Sequence, residues 1–246
     1  MHRSVHEGRR VTVIVLLPAF NEEGKVGETV DGILRHNRDL VDEVLVVNDA
    51  SSDATASEAE KAGASVISHA KNMGAGAAIR SGIEYAIKRG YEVCVVMGAD
   101  AQDDPRKIRA LLEPILNEHY DLVQGSRYLD GSVAVRMPLF RALTTKLFTF
   151  FFRVASGFPV TDASNGFRAF RLRIFEQVNI PKDGQNRYRL EPSIFLETIR
   201  NGFKVKEVPV TKSYNIKKGY SKMIPLRDWF DIAQPVLAGL LKRALK

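Results

Sequence analysis

The chain alternates between short, unbroken apolar runs and longer stretches whose apolar positions recur every three to four residues. Val11–Leu17 is the first run, rich in β-branched residues and ended by Pro18. A run that is apolar at every position predicts a strand covered on both faces, as in a parallel sheet. A helix is expected over Lys25–His36, a strand over Glu43–Val47, a helix over Ala54–Ala62 and a short strand over Ser65–Ser68. The stretch Lys71-Asn72-Met73-Gly74-Ala75-Gly76 opens a further helix to Lys88, and a fourth strand covers Glu92–Met97. Strands and helices alternating at this spacing predict an α/β, doubly wound, mostly parallel sheet.

The second half continues with a helix over Pro105–Asn117 and a strand from Asp121 that runs into the basic loop Gly125-Ser126-Arg127-Tyr128. A long helix is expected over Arg136–Gly157. Its residues Leu139, Phe140, Leu143, Leu147, Phe150, Phe151 and Val154 form one stripe, read as core. Phe148 and Phe152 lie off that stripe on the side of Arg141, and are expected to be exposed there. Glu191 opens another helix, as an acid favoured at a helix start or as a ligand contact. Val205–Val210 reads as an edge strand because of Pro209. The pattern gives one domain over 1–210, with halves at 11–105 and 106–210. A 211–246 extension follows: a basic, aromatic tail (Lys212 to Met223), read as a lid or a linker, and an amphipathic helix over Leu226–Ala244. That helix suits a membrane interface, the core, or a dimer contact.

Composition narrows the partners. Among 246 residues, Lys and Arg outnumber Asp and Glu by 36 to 29, a net charge of +7 that favours anionic ligands or surfaces. No nucleic-acid recognition motif or basic stripe accompanies that charge, so no nucleic-acid partner is expected. The single cysteine, Cys94, lies inside an apolar run and excludes a disulfide framework or a zinc site built on cysteine. No run approaches the roughly 18 apolar residues of a membrane span. The N-terminus is polar and basic rather than signal-like. A cytoplasmic protein, peripheral on the membrane, is the expectation.

Candidate chemistry sits where a doubly wound sheet binds its ligands, beyond the carboxyl ends of the strands. The polar loops Pro18–Glu23, Asn48–Asp53, His69–Gly76 and Gly98–Asp104 all fall there. In the last, a buried strand ends in Asp100, Gln102, Asp103 and Asp104, oxygen ligands suited to a hard cation. Asp103-Asp104-Pro105 also suits a helix cap.

The ordered set Pro18-Ala19-Phe20-Asn21-Glu22-Glu23, Asn48-Asp49-Ala50-Ser51-Ser52-Asp53, Lys71 to Arg80 and Asp100-Ala101-Gln102 resembles the family 2 glycosyltransferases, above all the polyprenyl-phosphate branch that includes dolichol-phosphate mannosyltransferase. The resemblance spans Val11–Val210. It implies the GT-A fold, an inverting mechanism, and Mg²⁺ or Mn²⁺ held by Asp100 and Gln102. It implies a nucleotide diphosphate sugar framed by Pro18, Phe20, Glu22, Asp49, Lys71, Gly74, Gly76 and Ala99, with Arg127 near the diphosphate. Arg141, with Arg136 beside it, is placed at the phosphate of a polyprenyl (dolichyl or undecaprenyl) acceptor. Asp162 belongs to the box Asp162 to Phe170, contacting sugar hydroxyls or pairing with Arg168. The chain departs from the family pattern at Asn48, at Gly98, where an Asp stands in the family, and at Asn165, where a Ser stands. These departures tilt the donor toward a UDP-sugar such as UDP-GlcNAc or UDP-glucose rather than GDP-mannose. A saccharide hydroxyl acceptor, a non-catalytic nucleotide-sugar binder and a homo-oligomer remain as alternatives.

Overall fold

The structure is a computed structural model that describes residues 5–6, 9–178, 188–214 and 227–244. Strands β1 (Val13–Ala19), β2 (Glu43–Asn48), β3 (Ser65–Ser68), β4 (Val93–Val96), β5 (Leu122–Ser126), β6 (Arg168–Arg171) and β7 (Val205–Pro209) form one sheet. Their order is β7-β5-β6-β4-β1-β2-β3. All neighbours run parallel except β6, which is antiparallel to both β4 and β5. The order reverses at β1, between β2 and β4, which places the ligand crevice beyond the carboxyl ends of these three strands.

Successive residues of β1 face opposite sides. Val13, Val15 and Leu17 pack under α1 (Val26–Asn37), α2 (Thr55–Lys61) and α4 (Ile108–Glu118). Ile14 and Leu16 pack under α3 (Ala75–Lys88), α5 (Leu139–Ser156), α6 (Leu190–Arg200) and α7 (Arg227–Ala244). A strand buried on both faces needs the unbroken apolar run that the sequence carries. The β1 strand continues two residues past the expected end, with Pro18 opposite Val47 and Ala19 opposite Asn48. Pro18 is tolerated because it faces the β4 side, where pairing has already ended at Leu16 opposite Val96.

Two features differ from the sequence reading. Strand β6 was hidden, because two of its four residues are the buried arginines Arg168 and Arg171. Helix α5 is turned about its axis. Its expected core stripe is the exposed face, with Leu139 76%, Phe140 69%, Leu143 59% and Phe150 58% accessible. Phe148 and Phe152 are buried instead, and Phe152 stacks on Phe195 of α6 at 5.0 Å. Periodicity locates an apolar face but does not say what covers it. Here the narrower face carrying Thr145, Phe148, Thr149, Phe152 and Ala155 is turned inward, toward α6, α7 and the loop at Ala163 and Ser164.

Candidate active site

The loops after β1, β2 and β4 each hold one non-glycine residue in the left-handed region: Asn21 at φ 51°, Ala50 at φ 59° and Ala101 at φ 56°. Such a residue costs about 1–2 kcal/mol, and strain of this kind concentrates at functional sites. Side chains lace the first two loops together. The Asn21 N–H donates to Ser51 Oγ and the Ser52 N–H to Asn21 Oδ1, both at 2.9 Å. The Glu22 N–H donates to Thr55 Oγ1 at 2.7 Å. Glu22 is buried and ion-paired with Lys25 at 2.8 Å, while Pro18 and Phe20 are half-buried at the crevice edge.

Asp49 is buried and organises the third loop. Its Oδ1 accepts the Met73 N–H at 2.8 Å and its Oδ2 the Gly74 N–H at 2.7 Å. His69 Nδ1 lies 2.7 Å from the same carboxylate, and His69 Nε2 lies 2.9 Å from Ser81 Oγ. Gly74, at φ 96°, makes the turn that brings its N–H to Asp49 before α3 begins. Gly76 is buried in the first turn of α3 and Lys71 is exposed on the loop. The sequence reading missed His69, which lay inside a loop judged by its glycines and its lysine.

At the end of β4, Asp100 and Gln102 are both half-buried, and Asp100 Oδ1 accepts the Gln102 N–H at 3.2 Å. Ala99 is buried, its carbonyl 3.5 Å from Thr29 Oγ1. Asp104 caps the turn of 3-10 helix at Pro105–Lys107, accepting the Arg106 N–H at 3.0 Å. Asp103 does not cap. It is buried and accepts two hydrogen bonds from Lys212 Nζ, at 2.8 and 2.9 Å. Among the described residues, no group of three or more His, Cys, Asp or Glu side chains is arranged to hold a metal. Asp100 and Gln102 would offer a hard cation two oxygens, and a diphosphate with water would complete an octahedral set.

The other half of the site is a buried polar chain. Arg127 is bidentate to Asp162, with Nε 2.6 Å from Oδ2 and Nη2 2.8 Å from Oδ1. Its Nη1 donates to Tyr214 Oη at 2.5 Å and its Nη2 to Ser164 Oγ at 2.8 Å. Arg141 stacks over the Tyr214 ring at 5.1 Å, and Arg136 is exposed with φ 56°. Arg168 does not pair with Asp162. It donates to the Glu191 carbonyl at 2.9 Å and lies 3.8 Å from Glu191 Oε1. The Thr161 and Asp162 N–H groups donate to Glu207 at 2.6 and 2.9 Å, and burial pushes that carboxyl up despite them.

One short strand joins the two halves. Thr211–Ser213 pairs with Val133–Val135 on one side. On the other, the Asp104 N–H donates to the Thr211 carbonyl at 3.2 Å and the Ser213 N–H to the Gln102 carbonyl at 2.8 Å. Lys212 therefore reaches the Asp100 loop while Tyr214 reaches Arg127 and Arg141.

The profile described as glycosyl transferase family 2 matches residues 14–178. A polyprenol monophosphomannose synthase of Mycolicibacterium smegmatis is 30% identical over 240 residues, covering 94% of this chain and 89% of that protein. A UDP-N-acetylglucosamine–dolichyl-phosphate N-acetylglucosaminyltransferase of Methanococcus voltae is 25% identical, covering 89% and 93%. Glucosyl-3-phosphoglycerate synthase of Mycobacterium tuberculosis, crystallised with Mn²⁺, UDP and phosphoglyceric acid, superposes with a TM-score of 0.70. It is 21% identical, over 95% of this chain and 78% of that one.

Proposed function

The chain belongs to glycosyl transferase family 2 and is a glycosyltransferase, and from that premise we propose that it moves a sugar from a nucleotide diphosphate sugar to a polyprenyl phosphate at the cytoplasmic membrane face. An acceptor phosphate oxygen forms the new bond to the anomeric carbon as the bond from that carbon to the diphosphate breaks. The nucleoside diphosphate departs with the electron pair, and the configuration inverts in this single displacement. A phosphate monoester is already anionic, so the step needs no general base.

The donor lies in the crevice between the Asp49-anchored loop and the end of β4. Pro18, Phe20 and Glu22 border the base and ribose. Asp49 serves mainly by fixing the Met73–Gly74 backbone, since its oxygens already accept two N–H groups and face His69. Lys71, Gly74, Gly76 and Ala99 line the approach of the nucleotide. Asp100 and Gln102 would hold Mg²⁺ or Mn²⁺, which supplies Lewis-acid stabilisation of the leaving diphosphate. The Mn²⁺ and UDP of the glucosyl-3-phosphoglycerate synthase complex support that choice of ion and donor class. Arg127 and Asp162 act as a positioning pair, because each is largely committed to the other.

One observation carries the acceptor. The helix that presents Arg141 toward the site also exposes an apolar face, from Leu139 to Val154. A cation for the phosphate and a surface for the lipid thus share one element, with the exposed Lys146 and Arg153 available to anionic head groups. Helix α7 packs on α5 and adds the exposed Phe230 and Leu237. No described helix is long and apolar enough to cross a membrane. The names of both curated relatives support a lipid-phosphate acceptor, and they divide between mannosyl and N-acetylglucosaminyl donors. The commitment of both Asp162 oxygens to Arg127 disfavours a saccharide hydroxyl acceptor, which would need a free carboxylate as base. Of the basic tail read as a lid or a linker from Lys212 to Met223, Lys212 lies in a short strand and is buried, as is Tyr214 just after it, which corrects the reading there; residues 215–223 lie outside the described residues.

The test is Arg141→Ala. The expected result is a KM for polyprenyl phosphate raised about tenfold or more, the effect of one charge-assisted contact, with nucleotide affinity unchanged. Equal losses in both would contradict the assignment.

A further inference from the structure

Lys212 is a buried lysine whose two hydrogen bonds among the described residues both go to Asp103, itself buried. This pair is not needed to hold the strand in register. Backbone bonds at Thr211 and Ser213 already stitch it to the Asp100 loop. A buried ion pair kept where an apolar pair would serve carries a desolvation cost, so its charge calls for another use. Asp103 lies next to Asp100 at the carboxyl end of β4. A Cβ on Gly98 would sit 3.0 Å from Asp100 Oδ1 and 3.4 Å from Asp103 Oδ2, so no side chain separates the two carboxylates. Burial lowers the Lys212 pKa, but Asp103 and then Asp100 outweigh it and the net shift is upward, which keeps the ammonium charged. The ammonium has three N–H donors, and among the described residues two are used.

We propose that Lys212 is a fixed cation of the donor subsite: seated on Asp103 beside Asp100, its ammonium carries part of the charge neutralisation of the donor diphosphate, so that a nucleoside diphosphate binds without full dependence on a divalent ion. The proposal rests on the donor reading above. Asp100, Asp103 and Lys212 together carry a net charge of −1, which draws a divalent ion less strongly than two unpaired carboxylates would. Lys212 thus supplies a permanent positive charge at a loop that offers a metal few protein ligands.

The test uses calorimetry with UDP, GDP and the matching monophosphates, in EDTA and in Mn²⁺, on the wild type and Lys212→Met. The wild type is expected to bind one of the diphosphates in EDTA. Lys212→Met should weaken that binding about tenfold or more, the fold-change of one charge-assisted contact, while the monophosphate changes less than about threefold. Mn²⁺ alone, followed by electron paramagnetic resonance, should bind Lys212→Met at least as tightly as the wild type, because Asp103 is freed. The paired variant Asp103→Asn/Lys212→Met leaves no unpaired buried charge, and should show the same loss if the single variant folds poorly. Lys212→Arg should retain binding in EDTA. Equal diphosphate affinity of wild type and Lys212→Met in EDTA would overturn the proposal. So would equal losses of mono- and diphosphate. A wild type that binds diphosphate only with Mn²⁺ overturns the role of Lys212 and leaves the donor site standing. A wild type that binds no nucleotide under either condition overturns both.

Discussion

Asp49 shows how a single buried residue can shape a loop. Its carboxylate gathers the N–H groups of Met73 and Gly74 and the ring of His69, and this fixes the entry to α3. An ionised acceptor in such bonds is worth about 1.5–3 kcal/mol. Asp49→Asn is therefore expected to lower unfolding free energy by about 1–3 kcal/mol and to weaken nucleotide binding about tenfold, read by urea denaturation and calorimetry. Weaker nucleotide binding with unchanged stability would instead indicate direct contact with the base. Much at this scale was legible in the sequence. Asp49, Asp100 and Arg141 stood in polar loops or at a helix start that the strand pattern had already located. Their partners were not legible. Lys212 lies 109 residues from Asp103 and Tyr214 lies 87 from Arg127, and no local periodicity links positions so far apart. Of the two roles open to Asp162 in the sequence, the local pairing with Arg168 is replaced in the fold by a pairing with Arg127.

At the scale of elements, α5 separates pattern from environment. Its apolar stripe was visible, yet the buried face is the one bearing Phe148 and Phe152. Two substitutions on one helix should therefore behave oppositely. Phe152→Ala removes a fully buried ring and should cost about 3–5 kcal/mol of stability. Leu143→Glu, on the exposed face, should leave stability within about 0.5 kcal/mol. It should, however, markedly reduce co-sedimentation with vesicles containing anionic lipid. If Leu143→Glu leaves vesicle binding intact and instead converts a dimer to a monomer in solution, the α5 face is a contact between copies of the chain. Strand β6 was missed for a related reason. Its buried arginines donate through their Nη groups to carbonyls of Glu191, Asn165 and Ile115, partners that only the folded chain provides.

For the whole molecule, the alternation of apolar runs and amphipathic stretches was sufficient for the doubly wound sheet, because β1, β2 and β4 are buried on both faces and show it in the unbroken apolar runs at 13–17, 44–47 and Val93–Val96. What the sheet achieves is convergence. Three strained loops, one of them at the Asp100 end of β4, and the Arg127–Tyr214–Arg141 chain are brought together by one sheet edge and one cross-linking strand. In the proposed reaction, β1 to β4 hold the donor, β5 to β7 with α5 hold the acceptor, and residues 211–214 connect the two sides, which would present a sugar nucleotide and a lipid phosphate to each other.

The most direct test of this account is transfer of label from a panel of radiolabelled UDP- and GDP-sugars to polyprenyl phosphate in vesicles, with Asp100→Ala as the control. The account predicts that one donor delivers label to the lipid phase in the wild type and that Asp100→Ala abolishes it. Label that stays in the aqueous phase with every donor, or lipid labelling that survives in Asp100→Ala, would contradict it.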